Sequence, residues 1–184
     1  MGISIISLDK KHMDAGKLYY QKRLALPPWT PYMEAEKMLA EHCGLGLRRV
    51  FDEWDIIEPA DQAGDITLAP KITVTDSIVS FKAEAVENIY KKFLAIGHQE
   101  RIRARLAISG KTVHFLDMEL VGLESPQQQI ISGFTELHRR RLVIYGSDGI
   151  GLSVGKFRVE GKSSTFSAAE FYHGFISRIN DKFS

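Results

Sequence analysis

The sequence predicts an α+β protein in which a largely antiparallel sheet of hairpins packs against about four to five helices. Some segments repeat apolar residues at helical spacing, whereas others alternate apolar and polar residues between glycines. Hairpins also fall between helices, instead of the strict alternation typical of parallel sheets. A length of 184 residues fits one domain over 1–184, with a helical N-terminal subdomain over 1–58 as the alternative.

The first half of the chain is predicted to be mainly helical. Thr30 and Pro31 suit an N-cap and a first helical position, so they predict the start of a helix. Ile89 and Phe93 lie at helical spacing, and Gly97 follows as a cap. The predicted segments are a strand over 3–8 and helices over 10–26, from Pro31 to Gly44 and over about 80–96.

Two capping boxes predict helix starts in the second half. The first joins Ser125 to Gln128, and its helix is expected to run as far as residue 138. The second joins Ser167 to Glu170 and predicts a docked C-terminal helix. Short strands are expected over 142–145, 150–154 and 156–160.

A β-hairpin is predicted over residues 100–117, around a two-residue turn at Ser109-Gly110. Alternation assigns one face of the hairpin to the core and the other to solvent. The predicted core face holds Ile102, Ala104, Leu106, Ile108, Val113 and Phe115. The predicted outer face holds Arg101, Arg103, Arg105 and His114, with Leu116 and Met118 beside them. Guanidinium groups in a row suit a phosphate-bearing ligand, since each can bind two oxygens.

A second cationic group follows the first predicted capping box. Arg139, Arg140 and Arg141 are expected at a helix C-terminus, where the helix dipole favours cations without any ligand. Both clusters are candidate ligand-binding residues, and a solvated face partly neutralised by nearby glutamates is the alternative.

Ser153 lies in Gly151-Leu-Ser-Val-Gly155, which matches the G-x-S-x-G pattern of a nucleophile elbow. That elbow requires a strand-to-helix turn, but residues 156–160 alternate like a strand. A glycine-rich hairpin turn is therefore the favoured interpretation, and a serine hydrolase with partners such as Asp148 and His173 is a minor alternative.

Residues 101–105 and 117–122 resemble the signature of the PilZ family, R-x-x-x-R followed by D/N-x-S-x-x-G. The resemblance covers Arg101, Arg105, Asp117 and Gly122, whereas Glu119 stands where the family has serine. It implies a six-stranded barrel that binds cyclic di-GMP, so a cyclic-dinucleotide sensor is a further minor alternative.

Composition limits the remaining function classes. The net charge is +1, yet residues from His98 onward hold 12 Lys and Arg against 9 Asp and Glu. The single Cys43 excludes an internal disulfide, and neither metal-ligand spacing nor a cofactor motif is present. We expect no cofactor, no metal and no membrane association. The lack of a signal peptide and of a long apolar run predicts a cytoplasmic protein.

These features predict a non-catalytic binding or regulatory protein that uses the Arg-rich hairpin face, with nucleic acid as the leading ligand. The alternative is a protein–protein adaptor or assembly component. In this alternative, an acidic segment meets the arginines. The segment is the acidic stretch over 52–65 of a second copy in a homo-oligomer, or an acidic surface of a partner protein.

Overall fold

The computed structural model describes residues 1–64, 68–121 and 131–184. The chain divides into two compact units, Met1–Pro70 and Lys71–Ser184. Each unit has its own secondary structure and is described by itself below.

The first unit contains a two-stranded antiparallel ribbon and one long helix. The strands β1 (Gly2–Ile6) and β2 (Leu18–Arg23) pair with Ile3 beside Lys22. Helix α1 (Tyr32–Asp52) follows and buries only Ala35, Gly46 and Val50. The predicted helix over 10–26 is wrong, because its second half pairs with β1 and its first half forms a loop.

The second unit is mostly β-structure. A 3₁₀ turn (Val74–Ser77) and helix α2 (Val86–Ile96) precede eight strands. These are β3 (Arg103–Arg105), β4 (Thr112–Phe115), β5 (Glu119–Leu120), β6 (Thr135–His138), β7 (Arg141–Tyr145), β8 (Gly151–Val154), β9 (Lys156–Val159) and β10 (Phe166–Ser167). Helix α3 (Ala168–Phe171) then continues into a π-helical turn (Tyr172–Ile176).

The eight strands form two antiparallel sheets, ordered β10-β9-β4-β3 and β5-β8-β7-β6. A shared apolar core includes Phe115, Phe157, Phe171 and Phe183, whose rings contact one another. The chain passes from one sheet to the other between β4 and β5, and again at Gly155 between β8 and β9.

The prediction of four to five helices packed against hairpins is wrong. The described parts of the chain contain three α-helices and ten strands. The helix expected from Ser125 begins outside the described residues, and residues 135–138 of its predicted course form β6 instead. Strand pairing overrides local helical preference at such positions. The capping box of Ser167 and Glu170 is confirmed, with both reciprocal hydrogen bonds at the start of α3.

Candidate anion-binding face

The predicted hairpin exists, but its turn is longer than expected. Strands β3 and β4 pair with Arg103 beside His114 and Arg105 beside Thr112, so six residues connect them. A two-residue turn at Ser109-Gly110 would instead place Arg105 beside His114. The difference is a shift of two residues, and such a shift keeps every side chain on its predicted face.

The core face of the hairpin largely agrees with the prediction. Five of its residues are at most 1% exposed: Ile102, Ala104, Leu106, Val113 and Phe115. Ile108 was also assigned to the core, but it is 63% exposed because it lies in the turn. Met118 was assigned to the outer face, yet it is buried where the chain turns into the second sheet.

The outer face of the sheet carries more positive charge than the hairpin alone suggests. His114 lies beside Arg103 on one side and Arg158 of β9 on the other. Strand alternation places Arg101, Arg105 and Lys156 on the same side, since their neighbours are buried. We name these six residues the cationic face: Arg101, Arg103, Arg105, His114, Lys156 and Arg158.

Two carboxylates adjoin the cationic face, those of Glu100 and Glu160. Among the described residues, its one ion pair joins Arg103 Nη2 to Glu100 Oε2 at 3.3 Å. Burial and the nearby Arg103 guanidinium lower the pKa of His114, and Glu160 acts in the opposite direction. The buried Nδ1 of His114 and Nε of Arg158 have no hydrogen-bond partner in the described part of the protein.

The second predicted arginine cluster does not lie at a helix end. Arg139 and Arg140 form the two-residue turn between β6 and β7, with φ angles of 46° and 68°. Positive φ at both central residues is typical of a type I′ hairpin turn, which Asn-Gly usually occupies. Two exposed arginines therefore occupy a conformation that costs free energy in residues other than glycine.

Arg141 has a different role, because its side chain binds neighbouring strands. Its Nε donates to Ser153 Oγ at 2.7 Å, and its Nη2 donates to the Ser153 carbonyl oxygen at 3.2 Å. Ser153 itself lies within β8, so Gly151–Gly155 does not form a strand-to-helix elbow. The serine is a hydrogen-bond partner of an arginine and does not have the exposed position of a nucleophile.

Asp117, the central residue of the PilZ-like motif, accepts backbone hydrogen bonds. Its Oδ1 binds the amides of Gly155 at 2.6 Å and Lys156 at 3.0 Å. Its Oδ2 lies 3.5 Å from Arg141 Nη1. The carboxylate thus holds the corner where the chain changes sheets, while Gly122 of that motif lies outside the described residues.

A loop in the first unit was missed by the sequence interpretation, because it lies inside the wrongly predicted helix. It connects β1 to β2 and carries three residues suited to proton transfer: Asp9, His12 and Asp14. Asp9 Oδ1 accepts hydrogen bonds from the backbone amides of Lys11 and His12. These bonds, opposed by a smaller desolvation effect, lower the pKa of Asp9.

The loop is held in one conformation by specific contacts. Asp14 has a φ of 57°, and Gln62 Nε2 donates to the carbonyl oxygens of Asp14 and Gly16, both at 2.7 Å. A Cβ at Gly16 would collide with the Ser7 carbonyl oxygen. A strained residue that its surroundings hold in place is a pointer to function.

The described residues contain no group of three or more metal-ligating side chains. No helix among them is long and apolar enough to cross a membrane.

The whole course of the chain is similar to known formyltransferases. It is 26% identical over 191 residues to the mitochondrial methionyl-tRNA formyltransferase of Mus musculus, covering 95% of this chain and 47% of that protein. The Homo sapiens protein is 25% identical over 189 residues, with 95% and 46% covered. The chain therefore spans about half the length of these relatives. No protein-family model matches it.

Among solved structures, HypX from Aquifex aeolicus has a similar fold. A quadruple variant of HypX superposes with a TM-score of 0.68 and 16% identity, covering 94% of this chain and 32% of HypX. HypX is also known in complex with tetrahydrofolic acid, and that structure superposes with a TM-score of 0.67.

Similarity to enzymes over almost the entire chain corrects the functional prediction. A non-catalytic regulatory protein with nucleic acid as its leading ligand is wrong. The adaptor, the cyclic-dinucleotide sensor and the serine hydrolase are overturned by the same similarity to formyltransferases. No sequence motif identified above predicted this class, and the overall identity to these relatives is only 26% or less.

Proposed function

We propose that this chain is part of a folate-dependent formyltransferase that acts on methionyl-tRNA. The observation that carries the proposal is the extent of the similarity, which covers 95% of the chain and so includes both compact units. Similarity confined to one short motif would cover only part of one unit. The folate donor is suggested by the tetrahydrofolic acid complex of HypX, a protein of similar fold.

The proposed reaction needs proton transfer. The formyl carbon leaves a nitrogen of the folate substrate and bonds to the methionine amine, while the amine loses a proton and the folate nitrogen gains one. Asp9, His12 and Asp14 of the β1–β2 loop are the residues of the first unit that we propose for this task. Asp14 is the preferred candidate because its strained conformation is held by Gln62.

The cationic face suits the proposed formyl acceptor, methionyl-tRNA. An aminoacylated tRNA carries a phosphate in every nucleotide, and arginine binds phosphate oxygens through its planar guanidinium group. Arg101, Arg105 and Lys156 have no carboxylate ion-pair partner among the described residues, so their charges are available to a polyanion. The strained arginines at the β6–β7 turn, Arg139 and Arg140, offer a second cationic element.

The decisive experiment disrupts the gene that encodes this chain and measures the fraction of methionyl-tRNA that is formylated. We expect N-formylmethionine released from that tRNA to fall below detection by mass spectrometry and to return with the intact gene. An unchanged formylated fraction after complete disruption would overturn the proposal.

Restoration with altered genes tests the proposed proton-transfer residue. We expect Asp14→Asn to slow formyl transfer about 100-fold or more, as loss of a general acid or base does. Glu58→Gln removes a carboxylate of the first unit that lies outside the loop and serves as the matched control. Normal transfer by the Asp14→Asn protein would remove Asp14 from the mechanism without changing the proposed reaction.

We extend the proposal to the compartment. The relatives named above are mitochondrial proteins, whereas the sequence predicts a cytoplasmic location. A location shared with these relatives means that the gene product fractionates with mitochondria. Recovery of the intact gene product solely from cytosol would support the earlier expectation instead.

A further inference from the structure

We propose that Arg103, His114 and Arg158 form a phosphate-binding site at the centre of the cationic face, and that the site binds more strongly when His114 is protonated. The inference deepens the proposed function, on which it rests for the source of the phosphate. The ligand chemistry is a phosphate oxyanion, either in an RNA backbone or free in solution.

The three residues form a continuous row across three strands. Arg103 of β3 is the direct neighbour of His114 of β4, which is the direct neighbour of Arg158 of β9. Strands lie about 4.8 Å apart, so the long arginine side chains can both reach an oxyanion above the imidazole. The row therefore presents two guanidinium groups and one imidazole to a single ligand.

The row places two positive charges on either side of one histidine. The guanidinium groups of Arg103 and Arg158 both lower the pKa of His114, so each opposes a positive charge on the imidazole between them. Glu100 forms an ion pair with Arg103, and Glu160, which follows β9, favours the protonated imidazole. A phosphate bound above the imidazole would offset the repulsion that a protonated His114 meets from the two arginines.

Hydrogen bonding supports the same site. Nδ1 of His114 and Nε of Arg158 are buried, and neither has a partner among the described residues. Both side chains as a whole are half-buried, so part of each is open to solvent at the outer face. Leaving such groups unpaired costs free energy, and an oxyanion can accept hydrogen bonds from both.

The charges around His114 determine the pH dependence. From β3 and the residue before it, Arg103 and Arg101 face the imidazole. From β9 and the residue after it, Arg158 and Glu160 face it. Burial and the three arginines favour the neutral imidazole, and only Glu160 favours its protonated form. A bound anion adds negative charge, so anion binding and protonation of His114 strengthen each other.

The test uses the 184-residue chain with two anions whose charge stays constant between about pH 5 and pH 8. One is a short RNA duplex and the other is inorganic sulfate, a stand-in for free phosphate. Binding is measured by titration calorimetry, and the His114 ring is followed by NMR. We expect affinity to rise as pH falls, and the pKa of His114 to rise when the anion is bound.

Variants assign the effect to the row. His114→Gln should abolish the pH dependence, and Arg158→Gln should weaken binding about tenfold or more. Arg158→Lys keeps the charge but loses the two-pronged hydrogen bonding, so it should restore binding only in part. Arg178→Gln is the control, because it removes one positive charge outside the cationic face. Folding of each variant is checked by circular dichroism.

The two anions separate the sources of phosphate. Binding of the duplex alone would assign the site to RNA, and binding of both would assign it to phosphate in general. Equal affinities in Arg158→Gln and Arg178→Gln, or an unmoved His114 pKa, would overturn the site. That outcome would leave the proposed formyl transfer unaffected, since it is measured independently by N-formylmethionine.

Discussion

Asp117 Oδ1 accepts a 2.6 Å hydrogen bond from the backbone amide of Gly155, which joins the two corners where the chain passes between its sheets. A Cβ at Gly155 would lie 2.8 Å from Asp117 Oδ2 and also 2.8 Å from Arg141 Nη1. Glycine therefore permits the close approach of the carboxylate to the corner.

Replacing Asp117 should destabilise the second unit. In Asp117→Ala, the amides of Gly155 and Lys156 lose their acceptor, and we expect the free energy of unfolding to fall by about 2 kcal/mol. Urea unfolding measures the change. The control is Glu119→Ala, which removes an exposed carboxylate 3.6 Å from Arg141 Nη1. This change should lower the free energy of unfolding by less than about 1 kcal/mol. Equal losses would contradict this role for Asp117.

Two glycines of α1 should respond to alanine in opposite ways. Gly44 has open space around the position of a Cβ, so Gly44→Ala should stabilise the first unit by about 0.5–1 kcal/mol. A Cβ at Gly46 would lie 2.7 Å from the Tyr20 ring and 3.1 Å from Ile5 Cδ1. Gly46→Ala should therefore lower the unfolding temperature, although it raises the helix propensity of α1 as much as Gly44→Ala does. A rise in both variants would show that β2 can move away from α1.

The β6–β7 turn should become more stable with the residues that its conformation favours. Replacing Arg139-Arg140 by Asn-Gly should add about 1 kcal/mol to the free energy of unfolding, because both positions have positive φ. The double change to Gln-Gln removes the same two charges without relieving the backbone, and it serves as the control. Thermal unfolding that is equal for both variants would indicate that charge, not backbone strain, limits stability.

Asp181 should make stability depend on pH in the acid range. Burial alone would raise the pKa of its carboxyl, but the amides of Ile108 and Ser109 donate to it and hold that pKa below the usual value. A lowered pKa in the folded state means stabilisation that is complete above the ordinary value of 3.8 and is lost as pH falls through the folded value.

We therefore expect Asp181→Asn to be less stable than the natural protein at neutral pH. The difference in free energy of unfolding should remain constant from about pH 7 to pH 5 and shrink below about pH 4. Urea unfolding at a series of pH values measures it. A difference that is independent of pH would show that the charge of Asp181 contributes nothing.

The hairpin of residues 101–115 shows how far local patterns reach. Alternation assigned Arg103 and His114 to one face correctly, although the turn is longer than expected. Arg158 was not placed on that face, because its position depends on pairing between β4 and β9, which are far apart in sequence. Local rules also failed at Arg139-Arg140, where a type I′ turn forms without its usual residues.

The sequence by itself determined which side chains of the hairpin face the core and how α3 begins, since strand alternation and capping boxes depend on neighbouring residues alone. Only the tertiary structure decided which strands are neighbours, and hence that His114 lies between Arg103 and Arg158. It also decided that residues 18–23 form a strand and not a helix. Strand pairing joins segments that are distant in sequence, and burial against the rest of the fold outweighs the small differences in local propensity.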